Sequence, residues 1–189
     1  MMPTSLDLPP DLPVPTDDGG ASHLVGRKAP ALSLPATMGG AVDLSQVAGR
    51  AVVYCYPMTG RPDVPLPEGW NEIPGARGCT PQSTSYKAHY DELKARGARH
   101  VFGLSTQSTE YQLEMSQRLD LPFPVLSDHT RAFADALQLP TFSVPEVGVL
   151  LKRLTLVLND GTVEQVHYPV FPTDKDPDWV IDYLTTNPL

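Results

Sequence analysis

The chain has 189 residues, 41% of them hydrophobic, which suits one domain with a sizeable core. A formal charge of -8 and an acidic pI exclude a general affinity for nucleic acid, and no basic cluster offsets them. No apolar run approaches the ~20 residues that cross a bilayer, and the N-terminus lacks a basic start followed by an apolar run. The expectation is a soluble, cytoplasmic protein with no membrane partner.

Residues 1–24 form a Pro-rich arm ending in Asp17-Asp18-Gly19-Gly20. That composition buries little and favours extended or disordered backbone. The arm either lies along the domain or hangs free, and residues 25–189 make up the domain itself. Ala31-Leu32-Ser33-Leu34 and Ala41-Val42-Asp43-Leu44 flank Met38-Gly39-Gly40, which predicts a β-hairpin. The run Arg50 to Tyr56 is continuously apolar and β-rich after its first residue, as in a central strand covered on both faces. Pro57 ends it.

A long loop, Met58 to Arg77, follows, with prolines at 62, 65, 67 and 74. Loops of this length are often functional. Trp70 and Ile73 either cover the residues beyond the loop or pin it to the body. From Thr80 the pattern is helical, with Tyr86, Tyr90 and Leu93 on one side and Gly97 closing the helix. His100 to Ser105 predicts the next strand, Ser108 caps a helix to about Leu119, and Phe123 to Leu126 predicts a short strand. Thr130 to Leu137 predicts a helix, with Asp128 and His129 at its N-terminal turn. Asn159-Asp160-Gly161 between two apolar runs is a strong hairpin signal. Asp176-Pro177-Asp178 opens a last helix. Alternating β and α units predict an α/β domain with a parallel core, to which the final hairpin adds antiparallel strands.

Cys55 and Cys79 are the only cysteines. Neither has a CxxC partner or a nearby His pair, so neither a disulfide scaffold nor a metal site is expected. Cys79 falls at the helix start, where free N–H groups and the helix dipole favour the nucleophilic thiolate. Cys55 lies mid-strand, facing away from Tyr54 and Tyr56, as a small core hydrophobe does. Arg77 is either a solvated loop charge or a modulator of the thiol. His89 and His167 show no evident partner.

Several segments carry a resemblance. Gly26-Arg-Lys-Ala-Pro30, Val52-Val53-Tyr54-Cys55-Tyr56-Pro57 and Gly78-Cys79-Thr80-Pro81-Gln82 resemble a peroxiredoxin. Phe102-Gly103-Leu104-Ser105, Phe123 to Asp128 and Arg153 to Val157 follow in the family's order. The Gly-Cys-Thr-x-Gln form is most similar to the peroxiredoxin-Q, or bacterioferritin-comigratory-protein, branch. The resemblance covers about residues 25 to 185.

It implies a thioredoxin-like fold of the peroxiredoxin type: a central mixed sheet flanked by helices, with an N-terminal β-hairpin. It also implies reduction of hydrogen peroxide and organic hydroperoxides by a peroxidatic cysteine, Cys79. Pro57 matches the proline that shields the thiolate, and Arg153 matches the active-site arginine. No organic cofactor or metal is implied. Two positions depart from the pattern. Ala76 stands where the family has a threonine hydroxyl, which leaves Thr59 and Thr80 as other sources of one. Thr84 stands where many members carry a resolving cysteine. The expected cycle therefore uses one cysteine and an external thiol, whether thioredoxin-like, glutaredoxin-like or small, in a monomer or homodimer. The competing reading is a redox-sensing or catalytically weakened member that binds a partner through its arm or long loop.

Overall fold

In the computed structural model, which describes residues 8–189, regular structure begins with an antiparallel hairpin of β1 (Ser33–Pro35) and β2 (Ala41–Asp43). Asp43 caps the short 3-10 turn Leu44–Gln46 by accepting from the Ser45 N–H at 2.9 Å. All six residues of β3 (Arg50–Cys55) are buried, Ala51 to Cys55 as their apolar run demands and Arg50 paired with Glu164.

After the long loop, which contains a 3-10 turn at Trp70–Glu72, come α1 (Cys79–Ala88) and α2 (Tyr90–Ala95). A single helix was expected here. The chain instead breaks at His89, where ψ is 7° and the ring Nδ1 meets the Ser85 carbonyl at 2.9 Å. A side chain bonded back to the preceding turn competes with the backbone ladder, which resumes one residue later.

The chain continues with β4 (Ala98–Ser105), α3 (Thr109–Leu119), β5 (Val125–Ser127) and α4 (Ala132–Leu137). Ser108 accepts from the Tyr111 N–H at 3.3 Å, and Asp128 accepts from the Phe133 and Ala134 N–H groups at 3.0 and 2.8 Å. Asp128 is thus a cap, as its position predicted. A small hairpin that the sequence pattern does not signal follows, β6 (Thr141–Val144) and β7 (Gly148–Leu151). Then come β8 (Leu154–Asn159), β9 (Thr162–His167) and α5 (Asp176–Thr186), the last two joined through a 3-10 turn at Thr173–Lys175.

The main sheet has the order β5-β4-β3-β8-β9. β3, β4 and β5 run parallel, and β8 and β9 add antiparallel. Gly161 turns the last hairpin at φ 77°, and a Cβ there would lie 2.5 Å from the Ser45 carbonyl oxygen.

The period of two along β3 divides the core. Val52, Tyr54 and Tyr56 pack with Tyr86, Leu93, Met115, Val180 and Leu184 under α1, α2, α3 and α5. Ala51, Val53 and Cys55 pack on the other face with Phe133, Leu137, Leu34 and Leu44. Residues leading into the domain lie along it: Ala21 and Leu24 are buried in that second cluster, and Asp18 accepts from Lys152 Nζ and the Tyr168 hydroxyl at 2.7 Å each. The first seven residues of the arm lie outside the described range.

Candidate active site

Gly78 sets the start of α1. Its φ is 117°, and a Cβ would meet Thr173 Oγ1 at 2.3 Å, so only glycine fits between the loop and the turn before α5. Cys79 follows as the first helical residue, and Pro81 sits in the first turn, where its missing N–H costs no helix bond. The Cys79 sulfur therefore stands at the positive end of α1. Cys79 is 4% exposed.

Arg153, between β7 and β8, reaches this sulfur from the sheet. Its Nη2 donates to Cys79 Sγ at 3.2 Å and to the Ala76 carbonyl at 2.9 Å. Nε donates to the Gly75 carbonyl at 3.3 Å, and Nη1 donates to Gln82 Oε1. Arg153 is 3% exposed and has no carboxylate partner among the described residues. Its charge is left to face the sulfur.

Gln82 is held from behind. Its Nε2 donates to Asp176 Oδ2 at 2.8 Å, which fixes the amide so that Oε1 turns to Arg153. The same Oδ2 accepts from the Tyr86 hydroxyl at 2.8 Å and the Thr155 hydroxyl at 2.6 Å, and Oδ1 accepts from His167 Nδ1 at 2.7 Å. Burial, with the charge of Asp176 adding to it, pushes the Tyr86 phenol well up, so it remains a donor. His167 stacks on Trp179 with ring centroids 4.4 Å apart. Both histidines expected to stand alone have partners: His167 has Asp176, and His89 Nε2 lies 3.2 Å from Asp178 Oδ1. Both partners come from α5: Asp178 lies far along the chain from His89, and Asp176, nine residues after His167, is brought to it by the turn before α5.

Above the sulfur is a cavity of about 300 Å³, lined by Met58, Thr59, Arg61, Trp70, Arg77, Thr80 and Arg118 among others. Trp70 serves both roles left open for it. It lines the cavity, and it is buried with Ala76, Val144 and Leu150 against the small hairpin. Thr59 and Thr80 both line the cavity. The Thr59 hydroxyl is engaged with Gln107 Oε1 at 3.3 Å. Pro57 is buried at the end of β3, but Met58 and Thr59, not Pro57, line the space beside Cys79.

Cys55 lies across the sheet from Cys79, in the other core cluster, and burial pushes its thiol well up. Thr84 has a buried hydroxyl with no hydrogen-bond partner. No helix among the described residues is long and apolar enough to cross a membrane.

Comparison with known proteins shows the family and the fold. The Redoxin family profile matches residues 24–181. The chain is 30% identical over 152 residues to peroxiredoxin Q, chloroplastic, of Oryza sativa subsp. japonica, covering 79% of this chain but only 61% of the rice protein. It is 28% identical over 177 residues to peroxiredoxin Q, chloroplastic, of Sedum lineare, covering 93% of this chain and 85% of that one. The fold superposes on the crystal structure of peroxidoxin BcpB from Mycobacterium tuberculosis with a TM-score of 0.70 at 22% identity, covering 87% of this chain and 99% of that one. With a profile match over most of its length, a thioredoxin-like mixed sheet and a helix-end cysteine in contact with an arginine, the chain belongs to the redoxin family, among the peroxiredoxins of the Q type.

Proposed function

We propose that the protein is a thiol peroxidase that reduces hydrogen peroxide and organic hydroperoxides through Cys79. The observation that carries this reading is the 3.2 Å contact of Arg153 Nη2 with a cysteine sulfur at a helix N-terminus, under a cavity. The thiolate attacks the outer peroxide oxygen. An S–O bond forms, the O–O bond breaks, and the inner oxygen leaves and takes up the proton as alcohol or water. Sulfur loses two electrons and becomes sulfenic acid. Arg153 and the N–H groups at the start of α1 oppose the charge that develops on the leaving oxygen. No step draws on a metal or an organic cofactor.

Ala76 supplies no hydroxyl, but its carbonyl helps to orient Arg153. Thr80, at the cavity wall, is the hydroxyl we assign to the peroxide, because that of Thr59 is taken by Gln107. Pro57 backs the site from the end of β3, outside the cavity wall. The cycle uses one cysteine. Two equivalents of an external thiol return the sulfenic acid to thiol, releasing water and a disulfide. The opposite-face placement of Cys55 favours this cycle over an internal disulfide. Such a cycle belongs in a reducing compartment such as the cytoplasm.

Consumption of hydroperoxide by the pure protein with dithiothreitol tests the reading. The wild type consumes it and Cys79→Ser does not. Equal consumption by both would refute the assignment and leave the sensing or weakened reading, which the alanine at 76 and the threonine at 84 favour.

A further inference from the structure

We infer that the cavity over Cys79 contains an anion subsite built from Arg61 and Arg77, which selects hydroperoxides carrying a carboxylate close to the peroxide. The selection rests on the peroxidase reading; the subsite itself does not. The chain as a whole is acidic, at -8, yet the charged residues lining this cavity are Arg61, Arg77 and Arg118, with no Asp or Glu among them.

These arginines are not equivalent. Arg118 is neutralised by Glu114, whose Oε1 lies 2.8 Å from its Nε, and it also holds the loop by donating to the Gly60 carbonyl at 3.3 Å. Arg153, beneath the sulfur, spends its donors on Gly75, Ala76, Gln82 and Cys79. Arg61 and Arg77 remain. Both are only half-exposed, and neither has a carboxylate within ion-pair reach among the described residues. Arg61 lies over the Tyr111 ring, 4.3 Å from its centroid, and its Nε is buried with no hydrogen-bond partner. A half-buried guanidinium without a counter-ion is costly, and a low-dielectric wall focuses its field into the cavity. A solvated loop charge would instead lie open to water. The planar donors of two arginines suit a carboxylate. The bound carboxylate takes no part in the redox step and only places the peroxide over Cys79.

Two measurements test the subsite. The first needs no peroxidase activity: Cys79 is alkylated with iodoacetate and with iodoacetamide, and the ratio of the two rates is compared with that of a free small thiol. The wild-type ratio should exceed the reference at low salt and fall as salt rises. In Arg61→Gln/Arg77→Gln it should fall about tenfold, the order exerted by unit charges within a Debye length. The second compares kcat/KM for a ring-carboxylated cumene hydroperoxide with that for cumene hydroperoxide, where the double substitution should lower the ratio similarly. Should the double variant fold poorly, the single substitutions Arg61→Gln and Arg77→Gln decide, because Arg153 also gives the wild type a salt-dependent preference. A wild-type alkylation ratio equal to the reference, or one unmoved by both substitutions and salt, overturns the proposal. Turnover of neither hydroperoxide, with the alkylation preference intact, would instead overturn the peroxidase reading and uphold the subsite.

Discussion

Replacing Asp176 tests the polar bed beneath the active site. The carboxylate is fully buried and accepts from Gln82, Tyr86, Thr155 and His167. Asp176→Ala removes all four acceptances and leaves buried donors without partners. Each hydrogen bond to a charged group is worth about 1.5–3 kcal/mol, and each stranded buried donor costs ~1–3 kcal/mol. Since these terms are not additive, a loss of about 4 kcal/mol or more is expected, a large share of the ~5–15 kcal/mol that holds a domain together. Asp176→Asn keeps the shape. With its oxygen in place of Oδ2 it still accepts from Gln82, Tyr86 and Thr155, and its NH₂ meets His167 in the other tautomer, so the loss should stay below ~2 kcal/mol. Urea unfolding followed by fluorescence gives both values. The reaction rate of Cys79 with peroxide, followed under native conditions, adds a second reading. Freed from Asp176, the Gln82 amide no longer steers Arg153, so the alanine variant should react more slowly than its stability alone explains, whereas the asparagine variant, which still holds Gln82, should react at close to the wild-type rate. An alanine variant within 1 kcal/mol of wild type would refute the claim that this carboxylate organises the site.

Further outcomes follow from other contacts. Arg153→Met removes the charge 3.2 Å from the sulfur and should slow peroxide reduction roughly 10- to 100-fold in stopped-flow measurements, the range for a lost charge-assisted bond. Cys55→Ala should leave dithiothreitol-driven turnover intact, and mass mapping of the peroxide-treated wild type should find no Cys55–Cys79 disulfide. Finding that disulfide would overturn the one-cysteine cycle. Gly78→Ala should destabilise the fold by about 2 kcal/mol or more, since it combines a φ of 117° with a clash at Thr173, and thermal unfolding measures this. The hydrogen bonds from Lys152 and Tyr168 hold the Asp18 carboxyl well below the usual carboxylate range. Its folded value lies below the unfolded ~3.9, so its contribution is present above about pH 4 and lost as pH falls further. The protection of the Gly20 amide, whose N–H donates to Asp18 Oδ1 at 3.0 Å, should fall relative to its intrinsic exchange rate across that acid range and, at neutral pH, in Asp18→Asn.

What the chain reveals by eye depends on how far apart the cooperating residues are. The helix-end setting of Cys79 is local, as are the Ser108 cap, the central strand and the Asp160-Gly161 turn, and all were legible. Arg153 was legible only by resemblance, because a strand-end arginine has many ordinary uses. The Asp176 network was hidden. Gln82 and Asp176 are 94 positions apart, and nothing in Asp176-Pro177-Asp178 distinguishes a buried anchor from a common helix start. The β6–β7 hairpin was missed because its strands are four residues each and Pro145 interrupts the pattern between them. The basic lining of the cavity needed the fold of the Met58–Arg77 loop, since Arg118 joins it from α3.

In the proposed cycle, the near-complete burial of Cys79 also separates oxidation from regeneration in time. A small hydroperoxide fits the 300 Å³ cavity as it stands, whereas a bulky thiol donor must bring its own sulfur into contact with an atom that is 4% exposed. Arg153 ties the Gly75–Ala76 stretch and α1 together around that atom, so exposing it means parting those bonds. Oxidation should therefore rise linearly with peroxide concentration. Regeneration by a protein donor should level off at a ceiling set by the opening of the loop, whatever the concentration of donor.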